Sequence, residues 1–117
     1  MICWNSGVKI HLATQPVDFR KSVNGLSMLV CEVMERNPGN GDVYVFYNRG
    51  RNRLKVLYYD GNGFMLWYKR LECGRFAISK TLAGNAYELD EQQLKWLLSG
   101  LDFMVLRTLP HYYTDYG

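Results

Sequence analysis

The spacing of hydrophobic residues changes from strand-like to helical in the first third of the chain. Residues 8–12 alternate apolar and polar side chains, the period-two pattern of a half-buried strand. Five apolar residues then recur at helical spacing, namely Leu26, Leu29, Val30, Val33 and Met34. Asp18 or Ser22 can cap the start of this helix, and the turn residues at 37–41 end it. The pattern predicts a strand followed by a helix.

Three strand-like segments follow at close spacing. They are rich in Val, Tyr, Phe and Trp and occupy residues 42–48, 53–60 and 63–71. The connections between them are short and turn-prone, so they allow hairpins and no helical crossover. If residues 60–63 form the second turn, residues whose numbers sum to 123 face each other, which places Lys55 opposite Tyr68. A further short strand is expected at residues 75–79.

The last third of the chain predicts a second helix. Asp90 can cap it, and Gln93 three residues later completes a capping box. Its apolar face is formed by Leu94, Leu97, Leu98 and Leu101. Leu94, Trp96, Leu97 and Leu98 lie within about one turn and cannot all face water, so we expect this helix to cover the core. Gly100 is expected to mark its end, and the Tyr-rich residues 109–117 are expected to form an irregular tail.

Together these elements predict an α+β fold. We expect an antiparallel β-meander of four to five strands with two helices packed on one face of it. The chain has 117 residues, of which 48% are hydrophobic and 15% aromatic, which is typical of a single folded domain over residues 1–117. The core is expected at about residues 8–101.

Composition also excludes several classes of protein. No uncharged apolar stretch approaches the roughly 18–20 residues of a membrane span, and residues 1–6 lack the pattern of a secretory signal. The three cysteines, Cys3, Cys31 and Cys73, are widely spaced, which favours a reducing cytoplasm over a disulfide framework. We therefore expect a cytoplasmic protein without membrane contact.

Positive charge is concentrated in the middle of the chain. Residues 49–75 contain seven basic and two acidic residues, a net charge of +5, whereas residues 82–117 have a net charge of −3. The net charge of the whole chain is only +3. This asymmetry indicates a polyanionic partner for the central segment.

A nucleic-acid interface is the strongest candidate for a binding surface. Arginine and lysine bind phosphates, and aromatic rings stack on unpaired bases. The candidate residues are Arg20, Lys21, Arg49, Arg51, Arg53, Lys55, Tyr68, Lys69, Arg70 and Arg75. An ordinary solvated sheet face, whose lysine stems cover apolar residues, is the alternative interpretation.

Arg20 and Lys21 allow two interpretations of their own. At the start of a helix their positive charges interact unfavourably with the helix macrodipole. A sequence that accepts this cost would need the two cations to bind a partner. Alternatively, the helix begins later, near Ser22, and the two cations belong to a loop.

Catalytic and metal-binding patterns are scarce. His11 lies within a strand pattern and is expected at a sheet edge, and His111 lies in the tail, with no metal-ligand spacing between them. Cys73 is expected to be a small, partly buried side chain. No metal or other cofactor is predicted.

A metal-dependent nuclease is a distant third hypothesis. Asp42, Asp60 and Glu72 could hold Mg²⁺ if the fold brought them together. However, Lys69 precedes Glu72, whereas nuclease sites of the restriction type place lysine after the acid. Aspartates at strand–turn boundaries are also ordinary.

Several motifs occur in a characteristic order between residues 8 and 101. They include Asp18-Phe19-Arg20-Lys21, Asn37-Pro38, Asn52-Arg53-Leu54-Lys55-Val56-Leu57 and Tyr68-Lys69-Arg70-Leu71-Glu72-x-Gly74-Arg75-Phe76. This order closely resembles TnpB, the small second-open-reading-frame protein of the IS-sixty-six family of bacterial insertion sequences. It does not resemble the RNA-guided nuclease that shares the name. Phe19, Ser22 and Asn37 replace the Met, Gly and Asp that are usual in the family.

The resemblance implies a role in transposition beside a separate, larger transposase that carries the catalytic acids. It supplies no catalytic residues for this chain. The first hypothesis is thus a non-enzymatic accessory protein that binds DNA, expected at the transposon ends, through the central basic sheet. The second is a protein-interaction subunit that docks on the transposase without contacting DNA.

Overall fold

Over the part of the chain that the structure describes, the fold is a five-stranded mixed sheet with three helices. The computed structural model describes residues 7–108. The strands are β1 (Ile10–Ala13), β2 (Val43–Tyr47), β3 (Arg53–Tyr59), β4 (Phe64–Arg70) and β5 (Ala86–Leu89). The helices are α1 (Val23–Glu32), α2 (Glu91–Leu98) and α3 (Phe103–Thr108). The predicted α+β class is confirmed. The expected tail at 109–117, Cys3 and His111 lie outside the described residues.

The central meander has the predicted register. The strand order is β4-β3-β2-β1-β5, and β2, β3 and β4 follow one another as antiparallel neighbours. Lys55 pairs with Tyr68 and Arg53 with Arg70, as expected for residues whose numbers sum to 123. The turn at residues 60–63 is closed by a hydrogen bond of 2.7 Å from the Asp60 amide to the Gly63 carbonyl.

One strand pair departs from the predicted antiparallel meander. β1 and β2 are parallel, with Ile10 beside Val43. Parallel neighbours need a long crossover, and the segment that contains α1 provides it. β5 pairs with β1 in the antiparallel sense, which leaves β4 and β5 at the two edges.

The two sides of the sheet carry different helices, so the expectation that both helices pack on one face is wrong. We call the side with Tyr44 and Lys55 the α1 face. The Lys55 ammonium bonds to the Phe19 and Lys21 carbonyls, just before α1. The Tyr44 hydroxyl bonds to the Asn37 carbonyl at 3.2 Å, after α1. Both ends of α1 are therefore tied to this face.

We call the opposite side the α2 face, because α2 and α3 lie against it. Lys69 follows Tyr68 on β4 and therefore projects to this side. Its ammonium bonds to the Leu98 carbonyl, at the end of α2, at 2.6 Å. The Tyr87 ring of β5 lies 6.1 Å from the Phe103 ring of α3. The sheet is thus covered by helices on both sides.

The predicted strand at residues 75–79 is wrong, because this segment is irregular. Phe76 and Ile78 are buried while their neighbours are not, so the segment alternates in burial as a strand would. The Phe76 amide bonds to the Arg51 carbonyl at 2.7 Å, so the segment is fixed against the β2–β3 turn. The additional strand is β5 instead.

The predicted helix starts are confirmed, whereas α1 ends at Glu32, before Val33 and Met34 of its predicted apolar face, and α2 ends at Leu98, before the exposed Leu101. The Gln93 amide bonds to Asp90 Oδ1 at 2.7 Å, and the Asp90 amide bonds to Gln93 Oε1 at 3.0 Å, which forms the capping box. Leu94 and Leu97 are buried, so α2 covers the core as expected. The N-cap of α1 is Ser22, which confirms the later of its two predicted starts. Among residues 7–108, no helix has the length and apolar character of a membrane span.

Candidate nucleic-acid interface

Two arginines lie directly opposite each other on the α1 face. Arg53 of β3 pairs with Arg70 of β4. The next pair toward the strand ends, Asn52 and Leu71, is hydrogen-bonded at 2.9 Å. Alternation along an antiparallel ladder makes Arg53–Arg70 a non-hydrogen-bonded pair, in which opposing side chains approach most closely. Like charges in this position destabilise a sheet.

The positive charge of this pair is incompletely neutralised. The Nε atom of Arg53 is buried and has no hydrogen-bond partner in the described part of the chain. Arg70 Nη2 lies 3.6 Å from Glu72 Oε1, but both side chains are well exposed to water. An exposed ion pair of this kind contributes little to the stability of the protein. The Arg53–Arg70 pair is therefore suited to accept an anion.

The loop before α1 brings two more cations to the same face. The Lys55 ammonium bonds to the Phe19 carbonyl at 2.9 Å and to the Lys21 carbonyl at 2.7 Å. The Phe19 ring packs 6.4 Å from the ring of Tyr68, which is 54% exposed. The loop therefore lies beside Tyr68, and Arg20 and Lys21 are exposed there.

Arg20 already has an acidic partner. Its Nη2 atom lies 2.7 Å from Asp18 Oδ2, and its Nε atom lies 3.1 Å from both carboxylate oxygens. These hydrogen bonds lower the pKa of Asp18 from 3.8 to about 2 and raise the pKa of Arg20. The Arg20 side chain remains 91% exposed, so it stays accessible to a ligand.

The two candidate lysines on the hairpin have structural contacts. Besides its two carbonyl partners, the Lys55 ammonium lies 4.9 Å from the centre of the Phe19 ring, and burial lowers the pKa of this lysine. Lys69 projects from the α2 face toward the end of α2. Of the predicted nucleic-acid-binding residues, Lys69 therefore lies on the other side of the sheet from Arg53, Lys55 and Arg70.

The turn between β2 and β3 holds the remaining arginines. Asn48 organises it, because its Oδ1 atom accepts from the amides of Asn52 at 3.1 Å and Arg53 at 3.0 Å. Arg51 has a φ of 56° and places its guanidinium 5.5 Å from the centre of the Tyr47 ring. Arg49 is exposed at the tip of the turn. The contact between Phe76 and Arg51 brings the exposed Arg75 close to this turn.

We call the resulting surface the basic patch. It consists of the Arg53–Arg70 pair, Tyr68 and the loop cations Arg20 and Lys21, with the exposed Arg49 and Arg75 at its end. Arg51 is not part of it, because its guanidinium lies over Tyr47, which projects from the α2 face. The sequence did not indicate Phe19 and Asn48 as residues that position this patch. The available signal was that Phe19 belongs to the motif Asp18-Phe19-Arg20-Lys21 and that Asn48 directly precedes Arg49 at the predicted turn.

The candidate acid and thiol groups lie elsewhere. His11 is not at a sheet edge, because β1 lies between β2 and β5, and it is 1% exposed. Its Nε2 atom lies 3.0 Å from Asp42 Oδ2, and its ring stacks on Tyr44. No group of three or more His, Cys, Asp or Glu residues within 7–108 could hold a metal ion. Cys73 is exposed, and the expectation of partial burial is wrong.

The comparisons with known proteins agree with the motif pattern. Residues 8–108 match the family model for the IS66 Orf2-like proteins. The chain belongs to this family. IS66 Orf2-like proteins are associated with transposition, so the resemblance predicted from the motifs is confirmed.

Two relatives come from Sinorhizobium fredii. The chain is 37% identical over 110 residues to "Uncharacterized protein y4jC", covering 94% of this chain and 93% of the relative. It is also 37% identical over 103 residues to "Uncharacterized protein y4hO", covering 88% and 89%. No solved structure gives a significant match.

Proposed function

We propose that this IS66 Orf2-like protein is a non-enzymatic accessory protein of DNA transposition that binds DNA through the basic patch. The Arg53–Arg70 pair carries the proposal, because two like charges face each other across the hairpin. Transposon-end DNA is the polyanion that the family association favours.

Phosphate binding would relieve the cost of this arrangement. A guanidinium presents several N–H donors in a planar fork that matches phosphate oxygens. Arg70 is exposed and Arg53 is half-buried, so a phosphate can approach this pair from solvent. Exposed Lys21 extends the positive charge along the α1 face, whereas the charge of the accessible Arg20 is balanced by Asp18. The exposed Tyr68 ring offers a stacking surface for an unpaired base.

The test removes the paired charges and compares the result with a matched control. R53Q/R70Q removes two positive charges from the basic patch. K9Q/R36Q also removes two, from exposed residues near the start of β2 at the opposite end of the sheet. Binding of labelled duplex and single-stranded DNA is measured by fluorescence anisotropy at several salt concentrations, and folding of each variant is checked by thermal unfolding.

We expect R53Q/R70Q to weaken binding and to flatten the slope of log affinity against log salt by about 1–2 units, since each lost phosphate contact removes roughly 0.9 for duplex or 0.7 for single strands. K9Q/R36Q should keep a slope close to that of the original protein. If the original protein shows no salt-dependent DNA binding, alone or with the transposase, the proposal is wrong. Retention on immobilised transposase without DNA would then support the docking alternative.

A further inference from the structure

Among the described strands, β4 forms an open edge of the sheet. Its seven residues, Phe64–Arg70, pair with β3 along their whole length. The Asp60–Gly63 and Asn52–Leu71 hydrogen bonds fix the alternation of the ladder. The amide and carbonyl groups of Phe64, Leu66, Tyr68 and Arg70 therefore point away from β3. Within residues 7–108, these outward groups make no backbone hydrogen bond to another element.

This edge lacks the features that usually prevent strand pairing. Residues 64–68 contain no proline, glycine or charge, and the β3–β4 register has no bulge. Four large apolar or aromatic side chains of β4 are exposed, namely Phe64, Met65, Trp67 and Tyr68. Natural edge strands are normally short, charged or covered, because an open edge is a template for another strand. A long apolar edge thus indicates a partner strand.

The charge pattern of β4 favours a second copy of the same strand as the partner. Both of its charges, Lys69 and Arg70, lie at one end. If two copies of β4 pair antiparallel around Trp67, all seven residues overlap. Arg70 then faces Phe64 of the second copy, and Lys69 faces Met65. Since a strand rises about 3.4 Å per residue, the two charged ends lie roughly 20 Å apart, well beyond the Debye length of about 8 Å at physiological salt.

We propose that a second copy of this chain pairs with the β4 edge and joins the two sheets into one ten-stranded sheet. The outward groups of Leu66 bond to those of Tyr68 in the partner copy, and those of Phe64 bond to Arg70. Trp67 lies on the two-fold axis and faces its own copy, and each Arg70 guanidinium lies near a Phe64 ring, a favourable cation–π arrangement. The pairing does not depend on the proposed DNA binding.

A charge substitution at Met65 tests both the edge and its register. Glutamate at this position would face Lys69 of the second copy, whereas lysine would place like charges opposite each other. Each dimer contains two such pairs, so M65E should tighten the dimer about 2- to 30-fold and M65K should weaken it by a similar factor. Met28 on α1 is 58% exposed, so M28E and M28K are matched controls. Sedimentation equilibrium of the full chain gives the dissociation constants.

Amide hydrogen exchange provides the second measurement. The inward amides of Met65, Trp67 and Lys69 should be protected at all protein concentrations. The outward amides of Leu66 and Tyr68 should become protected only as the dimer forms.

Three results would overturn the proposal. The first is a monomer at concentrations up to about 0.5 mM, which would put any dissociation constant near or above the millimolar range, too weak for a specific dimer. The second is a dimer whose dissociation constant responds equally to the Met65 and Met28 variants. The third is protection of Leu66 and Tyr68 that does not depend on concentration, which would show that another segment of the same chain covers the edge.

Discussion

Replacing Lys55 with methionine tests whether this cation stabilises the fold or binds DNA. The Lys55 ammonium donates to the Phe19 carbonyl at 2.9 Å and to the Lys21 carbonyl at 2.7 Å. It also lies 4.9 Å from the centre of the Phe19 ring. Methionine has a flexible side chain of nearly the same length, so K55M keeps the packing of the stem and removes the three polar contacts.

The expected loss of stability follows from these contacts. A hydrogen bond to a charged group contributes about 1.5–3 kcal/mol, and an exposed cation–π contact contributes about 0.5–1 kcal/mol. Two effects make the expected loss of stability smaller than the sum of these contributions. Lys55 is only partly buried, so water can replace the ammonium at the two carbonyls. The variant also avoids the cost of burying the charge. We therefore expect K55M to lower the free energy of unfolding by about 1–3 kcal/mol.

Thermal and urea unfolding of K55M provide the assay, with K80M as the control. Lys80 is an exposed loop lysine, so K80M makes the same chemical change without these contacts. At about 4 °C per kcal/mol, K55M should unfold roughly 4–12 °C lower than the original protein, while K80M should stay close to it. The salt slope of DNA binding should be unchanged in K55M at temperatures where it is folded. Unchanged stability with a flatter salt slope would show that Lys55 binds DNA and would refute this reasoning.

Two further predictions concern α2 and the loop before α1. Leu97 is fully buried, so L97A should destabilise the protein by about 2–5 kcal/mol in urea unfolding, whereas an unchanged midpoint would show that α2 contributes little to the core. The carboxyl of Asp18 should titrate with a pKa of about 2 in NMR, and R20Q should return it toward 3.8. Because the folded-state pKa is lowered, the stabilisation from this pair is complete above pH 3.8 and is lost as the pH falls toward 2.

The sequence predicted the parts of the fold that depend on contacts between residues close together in the chain. The Asp60-Gly61-Asn62-Gly63 turn fixes the register of β3 and β4, because a tight turn leaves only one pairing of the adjoining residues. The capping box of α2 depends on residues three positions apart, and it forms as predicted.

The wrong predictions concern contacts between segments that are distant in sequence. His11 is polar, so its strand seemed to have one solvated face, but α1 covers that side and the imidazole is buried against Asp42 and Tyr44. The side on which a crossover helix packs depends on such contacts and leaves no local pattern. Residues 75–79 were predicted as a strand but are irregular. Phe76 and Ile78 are buried in a strand-like alternation, although this segment pairs with no neighbouring strand among the described residues.

The candidate site was predicted as a set of cations, but charge counting could not separate their roles. Lys55 and Lys69 project to opposite faces, and each ammonium bonds to backbone carbonyls of another segment. Those carbonyls come from residues 19, 21 and 98, which are distant in sequence. A net charge of +5 over residues 49–75 therefore overstates the charge that is available to a ligand.

The two proposed surfaces use different groups of the same strand. The side chains of Tyr68 and Arg70 project from the α1 face, where we propose that DNA binds, whereas their outward amides and carbonyls lie in the plane of the sheet. A phosphate above the sheet therefore leaves the backbone groups of the edge free for a second strand, and the Arg70 guanidinium is the group that would face both the phosphate and the Phe64 ring of the partner copy. A two-fold axis through Trp67 stands perpendicular to the sheet, so it would place both Arg53–Arg70 pairs on the same side of the dimer. One DNA molecule could then contact both basic patches, and dimerisation would increase the number of phosphates bound without any new contact within either copy.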